Sequence, residues 1–227
     1  MQAQQLHTQS ETLRESGNFL EALKLADEAL LAYAQENNIA GMAEVQCSRF
    51  LVLRHLSTEF PQFLIIAKHA VLSAVELAKS SQAPSSLVIP LFNLAKYYEE
   101  IKDYPNAITY YQDAIVEFQK NPPSQHNRPS VLVDFQIHLN DVQLAAGDLS
   151  AADRLLKLID ELRELDEPKF NKDVWISGAH MHLAESLFAT DQDRARHHLQ
   201  LAKEIIEADP DLTIRLTQWQ QLAQKIQ

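Results

Sequence analysis

The chain has 227 residues, 46% of them apolar and 22% charged, which is enough apolar material for a buried core and too much for general disorder. A formal net charge of −11 gives a surface that repels nucleic acid and anionic lipid, so neither is expected as a partner. With 4 glycines and 1 cysteine, Cys47, there is little material for tight hairpins or a phosphate-cradling loop, and an intramolecular disulfide or a cysteine-based zinc cluster is excluded.

The N-terminal MQAQQLHTQSETLRE lacks a basic start followed by an apolar run, which predicts no signal peptide. No stretch has the apolar length needed to span a bilayer, and a reducing, cytoplasmic setting is expected.

Helices are predicted near 3–16 and 19–36, flanking the turn SGN. A longer helix follows over about 39–57, and the turn STEFP leads to another that ends near 80. In SLVIPLFNLAKYYEEI, Leu91, Leu94, Ala95 and Tyr98 form one amphipathic stripe. Lys102-Asp103 turns the chain, and Pro105 suits the first turn of a helix running to about Gln119. NPPSQHNRPS then breaks the pattern. Helices near 130–146 and 150–165 flank Gly147-Asp148, and two more near 173–189 and 192–208 flank TDQ. The C-terminal TIRLTQWQQLAQKIQ carries Trp219, Leu222, Ala223 and Ile226 as one further stripe. It reads as a helix over 211–227 that caps the last unit or begins another repeat.

The second helices share an internal pattern. Ala107, Tyr111 and Ala114 lie on one face, small, large and small, as suits a closely approaching neighbour. The same offsets hold for Ala22, Ala26 and Ala29, for Ala67, Val71 and Ala74, for Ala152, Leu156 and Ile159, and for Ala195, Leu199 and Ala202. Between the leading alanines the steps are 45, 40, 45 and 43 residues. Self-similarity at such a period predicts an all-α solenoid of helix pairs, near 3–38, 39–80, 86–120, 130–166 and 173–208, forming a single array over 1–227.

The order Leu91-x2-Leu94-Ala95-x2-Tyr98, turn, Tyr104, Ala107-x3-Tyr111-x2-Ala114, then Pro122 resembles the tetratricopeptide repeat. The resemblance is weakest in the first helix of the fourth pair. There Gln136, Asn140 and Gln143 replace apolar residues, and Phe135, Leu139 and Val142 offer a stripe displaced by one. The period exceeds the family's usual ~34, as in the extended-repeat branch that includes kinesin-light-chain-like and bacterial regulator arrays.

No catalytic or metal constellation emerges, and no cofactor is expected. The 9 histidines show no HExxH spacing, and neither a GxSxG, a P-loop nor a dinucleotide fingerprint occurs. Cys47 and His55 are too far apart along a helix to act as nucleophile and base. An enzyme is not expected.

The resemblance implies a right-handed superhelix whose first helices line a concave groove. Carried onto this chain, the groove residues are His7, Glu11 and Arg14, then Glu44, Ser48 and Leu51, then Phe92, Asn93, Lys96 and Glu99. They continue with Ile137, Asp141 and Leu144, and with Met181, Glu185 and Phe188. Family members that hold a terminal carboxylate use a lysine, asparagine and arginine set. Glu11, Ser48 and Asp141 stand here instead, against that ligand class. The implied role is a scaffold or adaptor for a peptide or helix carrying basic and apolar residues. The alternatives are a ligand- or peptide-sensing module of a signalling or transcriptional regulator, or an enzyme accessory subunit.

Overall fold

The computed structural model describes residues 2–226. Among them are eleven α-helices and one 3₁₀ turn, with no strand, in two compact units divided after Asn127. The first unit holds α1 (Gln2–Glu15), α2 (Phe19–Gln35), α3 (Ile39–Ser57) and α4 (Phe63–Ser80). The 3₁₀ turn (Pro84–Leu87), α5 (Val88–Glu100) and α6 (Tyr104–Lys120) complete it. The second unit holds α7 (Pro129–Ala145), α8 (Ala151–Glu164), α9 (Lys169–Leu187), α10 (Gln192–Glu207) and α11 (Thr213–Lys225).

Local chemistry sets the hairpins. Gly17, Asn37, Lys102 and Gly147 each adopt a left-handed conformation directly after a helix. The following amide then returns to the last helical turn: Asn18 to Leu13 O at 2.8 Å, and Asn38 to Tyr33 O, Asp103 to Tyr98 O and Asp148 to Gln143 O at 2.9 Å. This closure satisfies carbonyls that a helix end would leave orphaned. Asn38 and Asp103 also start the next helix, their side chains accepting from the amides of Gly41 and Asn106. Such a cap contributes ~1 kcal/mol.

Packing follows the small-large-small pattern. Ala22, Ala26, Ala29, Ala67, Val71, Ala74, Ala107, Tyr111 and Ala114 are all fully buried. Consecutive helices meet as pairs, α1 with α2, α3 with α4 and α5 with α6. Where α2 passes α3, a Cβ on Gly41 would lie 2.5 Å from the Tyr33 ring, so only glycine permits that approach. Phe50, Leu53, Val71, Leu94 and Tyr97 form a central core of this unit.

In the second unit, Leu155, Ile159 and Leu162 of α8 join Ile137 and Leu144 of α7 and Leu183 of α9 in one core. The displaced stripe of α7 is present, with Phe135 and Val142 buried. Asn140 and Gln143 face Arg154 of α8, which donates to Asn140 Oδ1 at 2.6 Å and to Gln143 Oε1 at 2.9 Å. Polar residues occupy this packing face because an arginine from the paired helix satisfies them.

Helix α9 begins at Lys169, four residues before the expected start at 173. Pro168, at φ −49°, is already set for a helical entry. Glu167 anchors the junction. Its carboxylate is fully buried and accepts from Arg128 Nε at 2.8 Å, Arg128 Nη2 at 3.2 Å, Asn171 Nδ2 at 2.5 Å and the Ser130 hydroxyl. The C-terminal helix is docked, Trp219 donating its indole N–H to Leu199 O at 2.9 Å beside Ala202, Leu222 and Ile226. Gln227, the last residue of the expected helix, lies outside the described residues.

Candidate functional site

In the first unit the expected groove residues come from α1, α3 and α5. His7 is buried, and its Nε2 lies 2.8 Å from Ser48 Oγ, bridging α1 to α3. Ser48 Oγ also lies 3.4 Å from Glu11 Oε1, so His7, Glu11 and Ser48 form one chain of contacts. Burial, partly offset by the Glu11 charge, lowers the His7 pKa and favours neutral imidazole. Tyr33 meets the His7 ring edge-on at 6.1 Å and supports it from α2.

Glu11 is exposed at the rim and Glu44 is half-buried beside it. Burial, and then the charge of Glu11, holds the Glu44 carboxyl above the usual carboxylate range. Arg14 is the neighbouring cation on α1, but it pairs with Glu15 at 2.5 Å. Below them Cys47 is buried, and burial pushes its thiol pKa up, as befits an inert core residue.

On α5 the expected residues are mostly committed inward. Phe92 is buried, 5.4 Å from the Tyr111 ring, with Lys96 Nζ over the Phe92 ring at 4.5 Å from its centroid. Glu99 accepts from the Tyr111 hydroxyl at 2.5 Å, and Asn93 is buried, donating to Ile89 O at 3.0 Å. The half-buried Lys96 is the cation this helix presents.

The second unit contributes less surface. Ile137, Asp141, Leu144 and Met181 are buried, and Phe188 packs partly buried against the core. Glu185 is exposed, with Lys225 Nζ 3.9 Å away. Among the described residues no three histidine, cysteine or acidic side chains are grouped to hold a metal ion. None of the described helices is long and apolar enough to cross a membrane.

No family model matches the sequence, and no curated protein matches it. Solved structures do. A kinesin light chain from Podosopora anserina with nearly identical TPR-like repeats aligns at TM-score 0.57 and 16% identity, over 89% of this chain and 93% of that one. BtubC from P. vanneervenii aligns at TM-score 0.59 and 19% identity, over 90% and 80%. A Rap protein complexed with competence and sporulation factor aligns at TM-score 0.63 and 16% identity, over 99% of this chain and 64% of that one.

The fold is that of tetratricopeptide-type helical repeats. Within this repeat fold, the first helices α3, α5, α7 and α9 bury many more positions than the second helices, whose buried residues keep to one stripe. One signal that sequence reasoning left unused was Tyr33, the last member of the α2 stripe, which both fixes Gly41 and buttresses His7. A second surface also stands out. Leu20 and Leu31 of α2 are 70% and 62% exposed and line a shallow depression with Leu23, Lys24, Asp27 and Glu28.

Proposed function

We propose that this chain is a protein-interaction scaffold, without catalytic chemistry of its own, that binds a segment presenting basic and apolar residues along the α1–α3–α5 face. The observation that carries the reading is Glu44. It is half-buried, with Glu11 as its charged neighbour and no hydrogen-bond or ion-pair partner among the described residues. A Lys or Arg side chain seated there would relieve the repulsion and pair both carboxylates. Lys96 at the α5 end favours an acidic or carbonyl-bearing group further along the same segment. Encounter would be steered by charge, and apolar contact around Leu51 would supply affinity that salt screens little.

Selection from a displayed random peptide library tests this. Enrichment of Lys or Arg beside apolar residues, lost in Glu11→Gln/Glu44→Gln but kept in Leu20→Ser/Leu31→Ser, is the expected outcome. Enrichment abolished only by the α2 pair would move the interface to the second-helix surface and overturn the reading. The neighbouring structure of a Rap protein with a bound factor favours a second reading, a sensing module whose bound segment shifts its shape. Small-angle scattering with and without a selected peptide separates the two, since a passive scaffold keeps its radius of gyration.

A further inference from the structure

Of the charged and titratable clusters in the second unit, Glu167 is fully partnered, and Asp134 of α7 lies 3.9 Å from His138, whose ring meets His182. One cluster has no such compensation. His180 of α9 and His198 of α10 are 2% and 4% exposed, with ring centroids 5.3 Å apart and planes 17° from parallel. Both nitrogens of His180 and Nδ1 of His198 are buried without a hydrogen-bond partner.

Natural cores pair their polar groups, because a buried donor or acceptor left unmatched costs ~1–3 kcal/mol. Here three unmatched nitrogens sit in the seam between two helices. The near-parallel stack makes the arrangement worse for a cation. Imidazole N–H bonds lie in the ring plane, so a protonated ring cannot donate to the ring stacked on it. Compensating charge is also lacking. Burial first, then His198, Arg163 of α8 and His197, all disfavour a cation at His180, and burial, then His197 and Arg194, do so at His198. From α7, Asp134 lies beside His138, whose ring meets His182, and from α11, Arg215 is engaged with Val174 O and Gln218.

We propose that the stacked His180–His198 pair is a proton-sensitive latch, closed when both rings are neutral, that releases α10 from α9 in mild acid. The seam and the docked C-terminal helix share residues, since Leu199 and Ala202 of α10 receive Trp219, so release of α10 also loosens α11, which then keeps only its own hold on α9 through Arg215 and Val174 O. Proton binding favours whichever state has the higher pKa. With His180 lowered to about 3 in the closed state, against ~6.5 in an opened, hydrated one, stability is complete above ~6.5 and declines as pH falls. From pH 8 to pH 5 the opening equilibrium then rises about 30-fold through His180 alone.

Peptide-resolved hydrogen exchange on the full chain, corrected for the intrinsic pH dependence of exchange, reads this directly. Protection in α9 and α10 should fall at least about 30-fold between pH 8 and pH 5 relative to α1–α6, and by a clearly smaller factor in His180→Phe, whose ring keeps the stack without titrating and leaves only His198 to respond. Equal behaviour of the two proteins overturns the latch. Should His180→Phe not fold, NMR titration of the imidazole Cε1–H signals in the unaltered protein decides instead. His180 remaining neutral to below pH 5 is required, and titration near pH 6.5 sinks the proposal.

Discussion

Replacing Glu167 with alanine would remove the acceptor on which the α7 and α9 starts converge. The Ser130 hydroxyl is 1% exposed and would be stranded, which costs ~1–3 kcal/mol. Arg128 is 41% exposed on its side chain, so its guanidinium would rehydrate, and loss of that pair contributes at most ~1 kcal/mol. Asn171 is half-buried and would also recover water. Together these predict about 1–4 kcal/mol at neutral pH, or a urea midpoint lowered by about 0.5–2 M for an m-value near 2 kcal/mol/M.

Both tryptophans, Trp175 and Trp219, lie in this second unit, so their fluorescence follows its unfolding without labels. Burial alone would raise the Glu167 pKa, but hydrogen bonds from Ser130, Asn171 and Arg128 outweigh it and leave the carboxyl below the usual range. A depressed pKa means the carboxylate stabilises the fold above the unfolded glutamate pKa of ~4.3 and less as pH falls through the folded value. The gap between the native protein and Glu167→Ala should therefore narrow below about pH 4. A loss under ~0.5 kcal/mol at pH 7, or a gap that does not change with pH, would refute the assignment of the carboxylate as the junction's anchor.

Ala107→Phe should cost ~1–3 kcal/mol in urea melts, because the fully buried alanine sits where a facing helix leaves no room for a ring. An unchanged midpoint would show that Ala107 is not a contact residue. Lys102→Gly should stabilise by ~0.5–1 kcal/mol, since a lysine holds a left-handed conformation at φ 59° that glycine adopts without a steric penalty. Thermal unfolding that falls rather than rises in this variant would argue against the turn geometry.

In the first unit the second helices were legible in the sequence because each buries a single stripe, whereas in α8 and α10 the middle of the expected stripe shifts by one, Leu155 and His198 being buried and Leu156 and Leu199 half-buried. Ala22, Ala26 and Ala29, like Ala107, Tyr111 and Ala114, appear in the structure as their spacing implies. The first helices were not, because neighbours cover them on more than one side. On α5, Phe92 and Asn93 are buried beside Leu91, Leu94 and Ala95, so no periodicity separates a core face from an open one. Ile137, Asp141 and Met181 show the same effect on α7 and α9. Asn140 and Gln143 looked like defects because their partner, Arg154, lies on the next helix. No local pattern encodes that contact.

The left-handed turns carry a consequence for how such a chain can vary in length. The connections at 16–18, 36–38 and 101–103 each close through a hydrogen bond that counts residues, so one inserted amino acid would put the returning amide out of register with its carbonyl. The segment 121–127 contains no left-handed closure of this kind. Insertions and deletions should therefore accumulate there, and loop cleavage sites or fused tags should be tolerated at 121–127 and rejected at 101–103.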